Sequence, residues 1–476
     1  MPINSFLYPA KNVPVAYEVA NSCRFNDDDS AYMNVTSVST VTNRLKFTIS
    51  LWVKRSTLGA KSMIGTVGGD NTNFGAIWFD SSDRLNCTEG SGGGTLNFIT
   101  NRLFRDVSAW YNIILAIDTT QGTESNRVKI YVNGVQETSF STSTYPGQNS
   151  NMHLNRNGKV QYLGRHTDSS NDYYFDGYMA EVVWVDGQQL DQTSFGEFDS
   201  DSPTIWKPKD VSGLTFGNNG FYLDFEDSGD LGDDESGNGN DWGENNLAAT
   251  DQSTDTCTNN FCTFNGVNPY GGTLSEGNLA MAQTSYQHHV QGTLGMESGK
   301  WYWEYKISAT HGEFGVCEQS KAQQVDPQAN IGFYFLYNNG NSTGYIWNNA
   351  TAGGNVSTLS VSAFTSGMII NLAYDADNQA LYIGQNGTFL NSGDPTSGSS
   401  KTGALVTNLY PRYGGTIVPF VGSGSNSVAQ STSANFGSPS YSISSGNADA
   451  NNFGNFEYTV PSGYFSLCTK NLAEFG

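Results

Sequence analysis

The stretch Ser298–Ile307, SGKWYWEYKI, limits what this chain can fold into more than any other. Trp301, Trp303 and Tyr305 alternate with Tyr302, Glu304 and Lys306. An extended strand, whose side chains alternate between faces, sets the three aromatics on a buried side and the charges near an open one. Gly299 and Lys300 ahead of it mark a turn. The pattern predicts a core strand of a β-sheet.

With 476 residues the chain is long enough for two or three domains, and two large ones are expected, because one hydrophobic core rarely grows beyond about 250–300 residues. Charged residues make up only 14% and aromatics 13%, with 54 Gly against 13 Pro. That mixture favours many short strands and polar turns, so the expected class is all-β. The net charge of −22 and the lack of a basic cluster exclude a nucleic-acid-binding surface, which must neutralise phosphates with Lys and Arg. Such acidity keeps a Gly/Ser/Asn-rich surface soluble and unassociated.

Six cysteines (Cys23, Cys87, Cys257, Cys262, Cys317, Cys468) are sparse for this length and show no zinc spacing. Cys257 and Cys262 could bridge if their loop turns back, but all six are expected to be reduced. MPINSFLYPAKNVPVAYEV lacks the basic start and apolar run of a secretory signal, and no stretch approaches membrane-spanning length. The expectation is a soluble protein made in a cytoplasm without membrane insertion, its N-x-S/T sequons chance products of composition.

Residues 1–20, with Pro2, Pro9 and Pro14, read as an extended arm. From Asn21 the pattern changes. Phe47, Ile49, Leu51 and Val53 alternate with Thr48, Ser50, Trp52 and Lys54, predicting a half-buried strand, and Trp110–Asp118 predicts one buried on both faces. Asn133-Gly134 between two alternating runs predicts a tight hairpin, because both central residues of a type I′ turn need positive φ. A long strand is expected over Tyr178–Val185 and a closing one over Gly217–Phe225. The opening NSCRFNDDDSAYM and the run from Phe175 through Gly177, Met179, Ala180, Glu181 and Val182 resemble laminin G-like, concanavalin-type sandwich domains. Residues 226–262, rich in Asp, Gly, Asn and Ser, read as an inter-domain connection that Trp242, Phe261 and Phe264 pin to a neighbour.

The second domain is expected over 263–476. Its Trp-rich strand, together with Gly367, Asp375, Leu381, Ile383, Asn386 and Gly387, resembles the core of SPRY domains, which are β-sandwich recognition modules. Asp118 with Ile130–Gly134, and Asp375 with Leu381–Gly387, form a shallow repeat that a shared sandwich topology explains without duplication. The two resemblances cover residues 21–225 and 263–472. The expectation is therefore two tandem β-sandwiches of jelly-roll type, concanavalin-like and then SPRY-like, combined as in marine-phage virion proteins.

Catalytic patterns are missing. Concanavalin-type glycosidases carry E-x-D-x(x)-E, but Glu197-Phe-Asp199 continues into Ser200-Asp201-Ser202-Pro203 with no second Glu. There is no G-x-S-x-G, no phosphate-binding loop, and the five histidines form no metal or triad signature; His288-His289 is expected at a strand edge. For Ca²⁺, the hard oxygens of Asp233, Asp234, Asn238, Asn240 and Asp241, or of Asp27–Asp29, are weak candidates beside a solvated acidic turn. No other cofactor is expected.

Two recognition folds without catalytic residues imply binding. Candidate contacts lie in Tyr/Asn/Ser-rich loops, at Tyr145, Tyr173, Asn341, Trp347 and Asn391, each of which also fits a plain solvated loop. The resemblance implies a non-enzymatic virion structural protein, a tail fibre or capsid fibre or decoration adhesin. It would be assembled in the host cytoplasm as a homo-oligomer, a trimer being favoured, bound to other virion proteins and to a host-surface glycan or receptor. A cellular lectin or adaptor is the alternative, and a glycan hydrolase the third reading.

Overall fold

The computed structural model describes residues 17–38, 40–59, 63–67, 74–90, 95–167, 172–267, 269–283, 288–321, 327–328, 332–348, 355–409, 416–424 and 428–476. Most of the proposed arm, and parts of the loops 167–173 and 338–354, lie outside the described residues. The chain is nearly all β: among the described residues Thr469–Phe475 is the one α-helix, beside several short 3-10 turns. No helix among them is long and apolar enough to cross a membrane.

Two sheets enclose the first core. One runs in the order Val135–Gln136, Val128–Val132, Trp110–Asp118, Lys46–Arg55, Gly177–Asp186, Ser22–Phe25 and Gln252–Ser253, with Phe221–Leu223 also paired to Gly177–Asp186. The other runs Phe140–Thr144, Leu96–Leu103, Arg84–Glu89, Gly75–Phe79, Met63–Val67, Val160–Leu163, Tyr32–Thr36 and Gly243–Asn245. Phe47, Ile49, Leu51 and Val53 face Ile77, Phe79, Leu85 and Phe98 across one core. Phe47 stacks on Trp184 at 5.6 Å.

The strand Lys46–Arg55 is not half-buried as its alternation suggests. Thr48, Ser50, Trp52 and Lys54 are buried too. The chain folds back over this outer face, bringing Phe195, Val211, Phe216 and Tyr222 against Val183 and Val185, and Val19 and Trp206 against Trp52 and Trp110. Lys54 Nζ is held by Asp255 at 2.7 Å and Asn260 Oδ1 at 2.7 Å, so its charge is paired where water is absent.

Of the segment 226–262, the part over 226–253 belongs to this sandwich, whereas Phe261 and Cys262 bond the C-terminal stretch of the second. Leu231 and Trp242 enter the first core. Gly243–Asn245 adds to Tyr32–Thr36 in one sheet and Gln252–Ser253 to Ser22–Phe25 in the other. Phe264 instead enters the second core, where it stacks on Tyr305 at 6.2 Å.

The second core lies between a nine-stranded and a six-stranded sheet. In the first of these Lys300–Ile307 is flanked by Ile369–Asp375 and Gln430–Asn435, and Trp301, Trp303 and Tyr305 fill the core as their spacing predicts. The other face is covered as well, against expectation. Tyr302 meets Phe456 edge-on at 5.1 Å, and the Glu304 carboxylate accepts from the backbone N–H groups of Glu457 at 3.0 Å and Tyr458 at 2.9 Å. The C-terminal segment thus supplies donors for a carboxylate that open water would otherwise solvate.

Both Asn-Gly hairpins form. Asn133 and Gly134 have φ of 48° and 74°, and Asn386 and Gly387 of 47° and 79°. The shallow repeat extends further in space. Asp118 pairs with Lys46 at 3.1 Å and Asp375 with Lys300 at 3.3 Å, each the cross-strand partner of the other. All six thiols are unpaired, five of them buried, and Cys262 lies in the second core.

A candidate ligand cleft at the open edge of the first sandwich

Val135–Gln136 and Phe140–Thr144 are the edge strands of the two facing sheets on the same side of the sandwich. Glu137–Ser139 carries the chain from one sheet to the other, and where the edges part a cleft of about 240 Å³ opens. Its apolar floor is Phe98, Val128, Ile130, Phe140 and Tyr145. Phe98 meets Phe140 at 5.0 Å and Tyr145 at 4.9 Å, both edge to face, which orients the three rings without a covering helix.

The rim is polar and carries Ser125, Gln136, Thr138 and Ser143. Glu137 is the acid of the cleft, and protein groups already hold it: Arg102 Nε donates at 2.9 Å, and the N–H groups of Ser139 at 3.0 Å and Thr138 at 3.2 Å bond its other oxygen. One committed carboxylate offers anchoring chemistry, not the two spaced carboxylates of glycoside hydrolysis. A void of about 30 Å³ between Leu51, Trp184 and Trp242 is apolar and has room for roughly one water. It is a packing gap.

The loop residues singled out in the sequence do not converge. Tyr145 lines the cleft. Tyr173 stacks on His166 at 6.0 Å, beside Arg165, whose guanidinium lies over Tyr32 at 4.6 Å and Tyr162 at 5.3 Å. Trp347 stacks on Phe335 at 6.0 Å on the outer side of the six-stranded sheet. Asn341 closes the turn beside it, accepting from Thr343 N–H at 2.8 Å. Asn391 has φ of 55° and donates to the Gly403 carbonyl at 3.4 Å, so it shapes its own loop. Phe98, Gln136, Glu137 and Phe140 were not singled out. Their signal is faint, because they become neighbours only when two sheet edges meet.

The acidic turn at Asp233–Asp241 is a clip. Asp234 accepts from the N–H groups of Tyr222, Ser236 and Asn240, each at 2.9 Å, and from Ser236 Oγ at 2.8 Å. Asn238 and Asn240 turn their amide N–H groups onto the Gly220 carbonyl, both at 2.8 Å. Asp233 and Asp241 are exposed. Asp234 therefore spends both its oxygens, and Asn238 and Asn240 their amide N–H groups, on holding the turn. Among the described residues no three His, Cys, Asp or Glu side chains converge on a point suited to a metal.

Glu197 is exposed, and Asp199 is paired with Lys207 at 3.0 Å. Three buried carboxyls in this sandwich sit far above the usual range: burial pushes Glu89, Asp176 and Glu181 each to about 7. None of them lines the cleft.

The family model of the concanavalin A-like lectin/glucanases superfamily matches residues 27–192. That region carries the cleft. No curated protein matches the chain. Among solved structures, the SPRY domain of human HERC1 is similar at 16% identity, covering 36% of this chain and 96% of that one with a TM-score of 0.27. The TRIM65 PSpry domain is similar at 14% identity, 36% and 89% coverage and a TM-score of 0.26. The heptameric SAP-like pentraxin from Limulus polyphemus is similar at 12% identity, 37% and 80% coverage and a TM-score of 0.26.

Proposed function

We propose that this chain is a non-enzymatic binding protein whose first sandwich takes a carbohydrate in the Phe98–Phe140–Tyr145 cleft. The observation that carries the reading is the composition of that cleft. The half-buried rings of Phe140 and Tyr145, backed by the buried Phe98, form its floor, and hydroxyl and amide groups of Ser125, Gln136, Thr138 and Ser143 form its rim. A pyranose has apolar C–H faces and a ring of hydroxyls, and so needs both. A volume of about 240 Å³ suits one or two sugar units. The match of residues 27–192 to a lectin and glucanase superfamily supports carbohydrate as the ligand class.

The narrower proposal, from the sequence resemblance, is an adhesin of a virus particle, present in several copies, where effective concentration multiplies modest affinities. The acidic composition suits it, keeping free subunits apart before assembly.

A glycan array probed with the full chain, followed by titration of the best sugar against wild type and Tyr145→Ala, tests the first proposal. The expected outcome is binding that weakens tenfold or more in the variant, and also in the rim variant Gln136→Ala, while both remain folded at the assay temperature by circular dichroism. Sugar binding that Tyr145→Ala and Gln136→Ala leave intact would place the ligand elsewhere, and no binding to any glycan would overturn the proposal. A protein inventory of purified virus particles tests the second: absence of the chain from every such particle defeats it.

A further inference from the structure

On the outer face of the first sandwich three strands end side by side. Phe25 pairs with Gly177, and Gly177 with Arg55. The next residues, Asn26, Asp176 and Ser56, therefore form a row beyond the ladder, with Ser56 N–H donating to the Asp176 carbonyl at 3.0 Å. Phe25 and Phe175 point into the core, so Asn26 and Asp176 point outward. They do not reach water, however, and each is only 4% exposed.

What covers them is a turn of the second sandwich. Glu276, Gly277 and Asn278 have successive φ of 55°, 64° and 63°. The turn is bound to the row: Tyr178 Oη donates to the Gly277 carbonyl at 2.8 Å, and Asn278 Nδ2 donates to that of Ser56 at 2.8 Å. Glu276 pairs with Arg24 at 3.1 Å and accepts from Asn26 Nδ2 at 3.3 Å.

Two acceptors in this seam have no protein partner, Asp176 Oδ1 and Asn26 Oδ1. Asp176 Oδ2 accepts from Thr57 Oγ1, and Asn26 Nδ2 also serves Asp29 at 2.8 Å. Around them are Asp27, Asp28 and Glu276, whose negative charge acts on Asp176. Arg24, the cation bonded within this group, gives its Nη2 to Asp251 at 2.9 Å and Glu276 at 3.1 Å, while its buried Nε and Nη1 have no hydrogen-bond partner. A buried carboxylate oxygen and a buried amide oxygen on neighbouring strand ends, both without a hydrogen-bond partner, are costly unless a donor or a cation meets them.

We propose that a hard divalent cation, Ca²⁺ by the chemistry of its ligands, binds in this seam and locks the second sandwich onto the first. Asp176 Oδ1 and Asn26 Oδ1 are its two fixed ligands. A carboxylate of the exposed Asp27–Asp28 turn and water complete the shell, since Ca²⁺ takes about six to eight oxygens. The protein supplies only part of the shell before the ion enters, since among the described residues no three acidic or histidine side chains already converge.

The test is the melting temperature of the full chain at pH 8, in chelator and in rising millimolar CaCl₂, with calorimetric titration of CaCl₂ alongside. Wild type should melt at least about 2 °C higher in Ca²⁺ and release or take up heat for one site. Asp176→Asn should lose both responses. Should that variant fold poorly, the exposed Asp28→Asn should weaken Ca²⁺ binding while leaving the calcium-free melting temperature unchanged. Asp241→Asn, outside the seam, should respond as wild type does. A proton shared by Asp176 and Asn26 is the rival occupant: it predicts no Ca²⁺ response at pH 8 and a rise in melting temperature on acidification that Asp176→Asn removes, and that outcome would overturn the proposal. A Ca²⁺ response lost in Asp241→Asn and kept in Asp176→Asn would overturn it too.

Discussion

Glu181 shows how one residue can be strained and still held. It sits at φ 50° where the pairing of Gly177–Asp186 with Lys46–Arg55 shifts register between Ala180 and Val183. Its carboxyl accepts from Tyr222 Oη at 3.0 Å and Tyr17 Oη at 3.1 Å. Burial raises it from 4.5 to about 7, and Glu89 is raised over the same range by the same cause. A carboxyl with a raised folded-state pKa binds its proton more tightly in the folded chain than in the unfolded one. The stability it contributes is thus fully present below about pH 4.5 and is lost as pH rises to about 7. The urea midpoint of wild type should fall across that window, and the Glu89→Gln, Glu181→Gln double variant should show a flatter fall. Equal slopes would mean that these two carboxyls do not titrate as described. That Glu181 belongs to a strand was legible in the sequence; its bulge and its two tyrosine donors were not, because Tyr17 and Tyr222 are far away along the chain.

At the scale of elements, the hairpins were the most legible feature. Asn-Gly calls for positive φ at both central residues whatever surrounds it, so local backbone chemistry was sufficient. The tertiary structure adds a second requirement at Gly134. A Cβ there would come within 2.2 Å of Trp206 Cε3, and φ is 74°. Gly134→Ala should therefore destabilise the first sandwich by more than about 1 kcal/mol, measured by chemical unfolding. Gly367→Ala, with φ of 85° but open space around it, should cost less. Equal losses would show that backbone strain, not the Trp206 contact, decides the cost. The alternating strands were legible only as far as their core faces. Lys54, Glu304 and Tyr302 read as the open side of a sheet, yet each is buried, because segments distant in sequence return to cover it.

The whole molecule is held by paired polar groups as well as by two apolar cores. Lys54 Nζ, in the first sandwich, bonds Asp255, Asn260 and the Phe261 carbonyl, the stretch of chain that leads into the second. Trp110 Nε1 bonds the other oxygen of Asp255 at 3.1 Å. Lys54→Met leaves Asp255 buried beside Trp110 without its cation, which should cost about 3–5 kcal/mol. It should also expose 255–262 to protease, where wild type resists. Unchanged protection in a destabilised variant would show that other contacts hold that stretch.

What the sequence determined by itself is whatever its local periodicity and turn chemistry dictate: an all-β chain, a tryptophan strand at the centre of one core, a long strand over Tyr178–Val185, and tight Asn-Gly turns. These follow from side-chain alternation and backbone sterics over a few residues. The tertiary structure alone decided which faces are covered, that 226–253 completes the first sandwich, and that Phe98, Gln136 and Tyr145 share a cleft. It alone set Asn26 and Asp176 beneath a turn that begins at Glu276. Each of these joins residues tens to hundreds of positions apart, and such contacts are selected by the packing of whole sheets, not by any pattern along the chain.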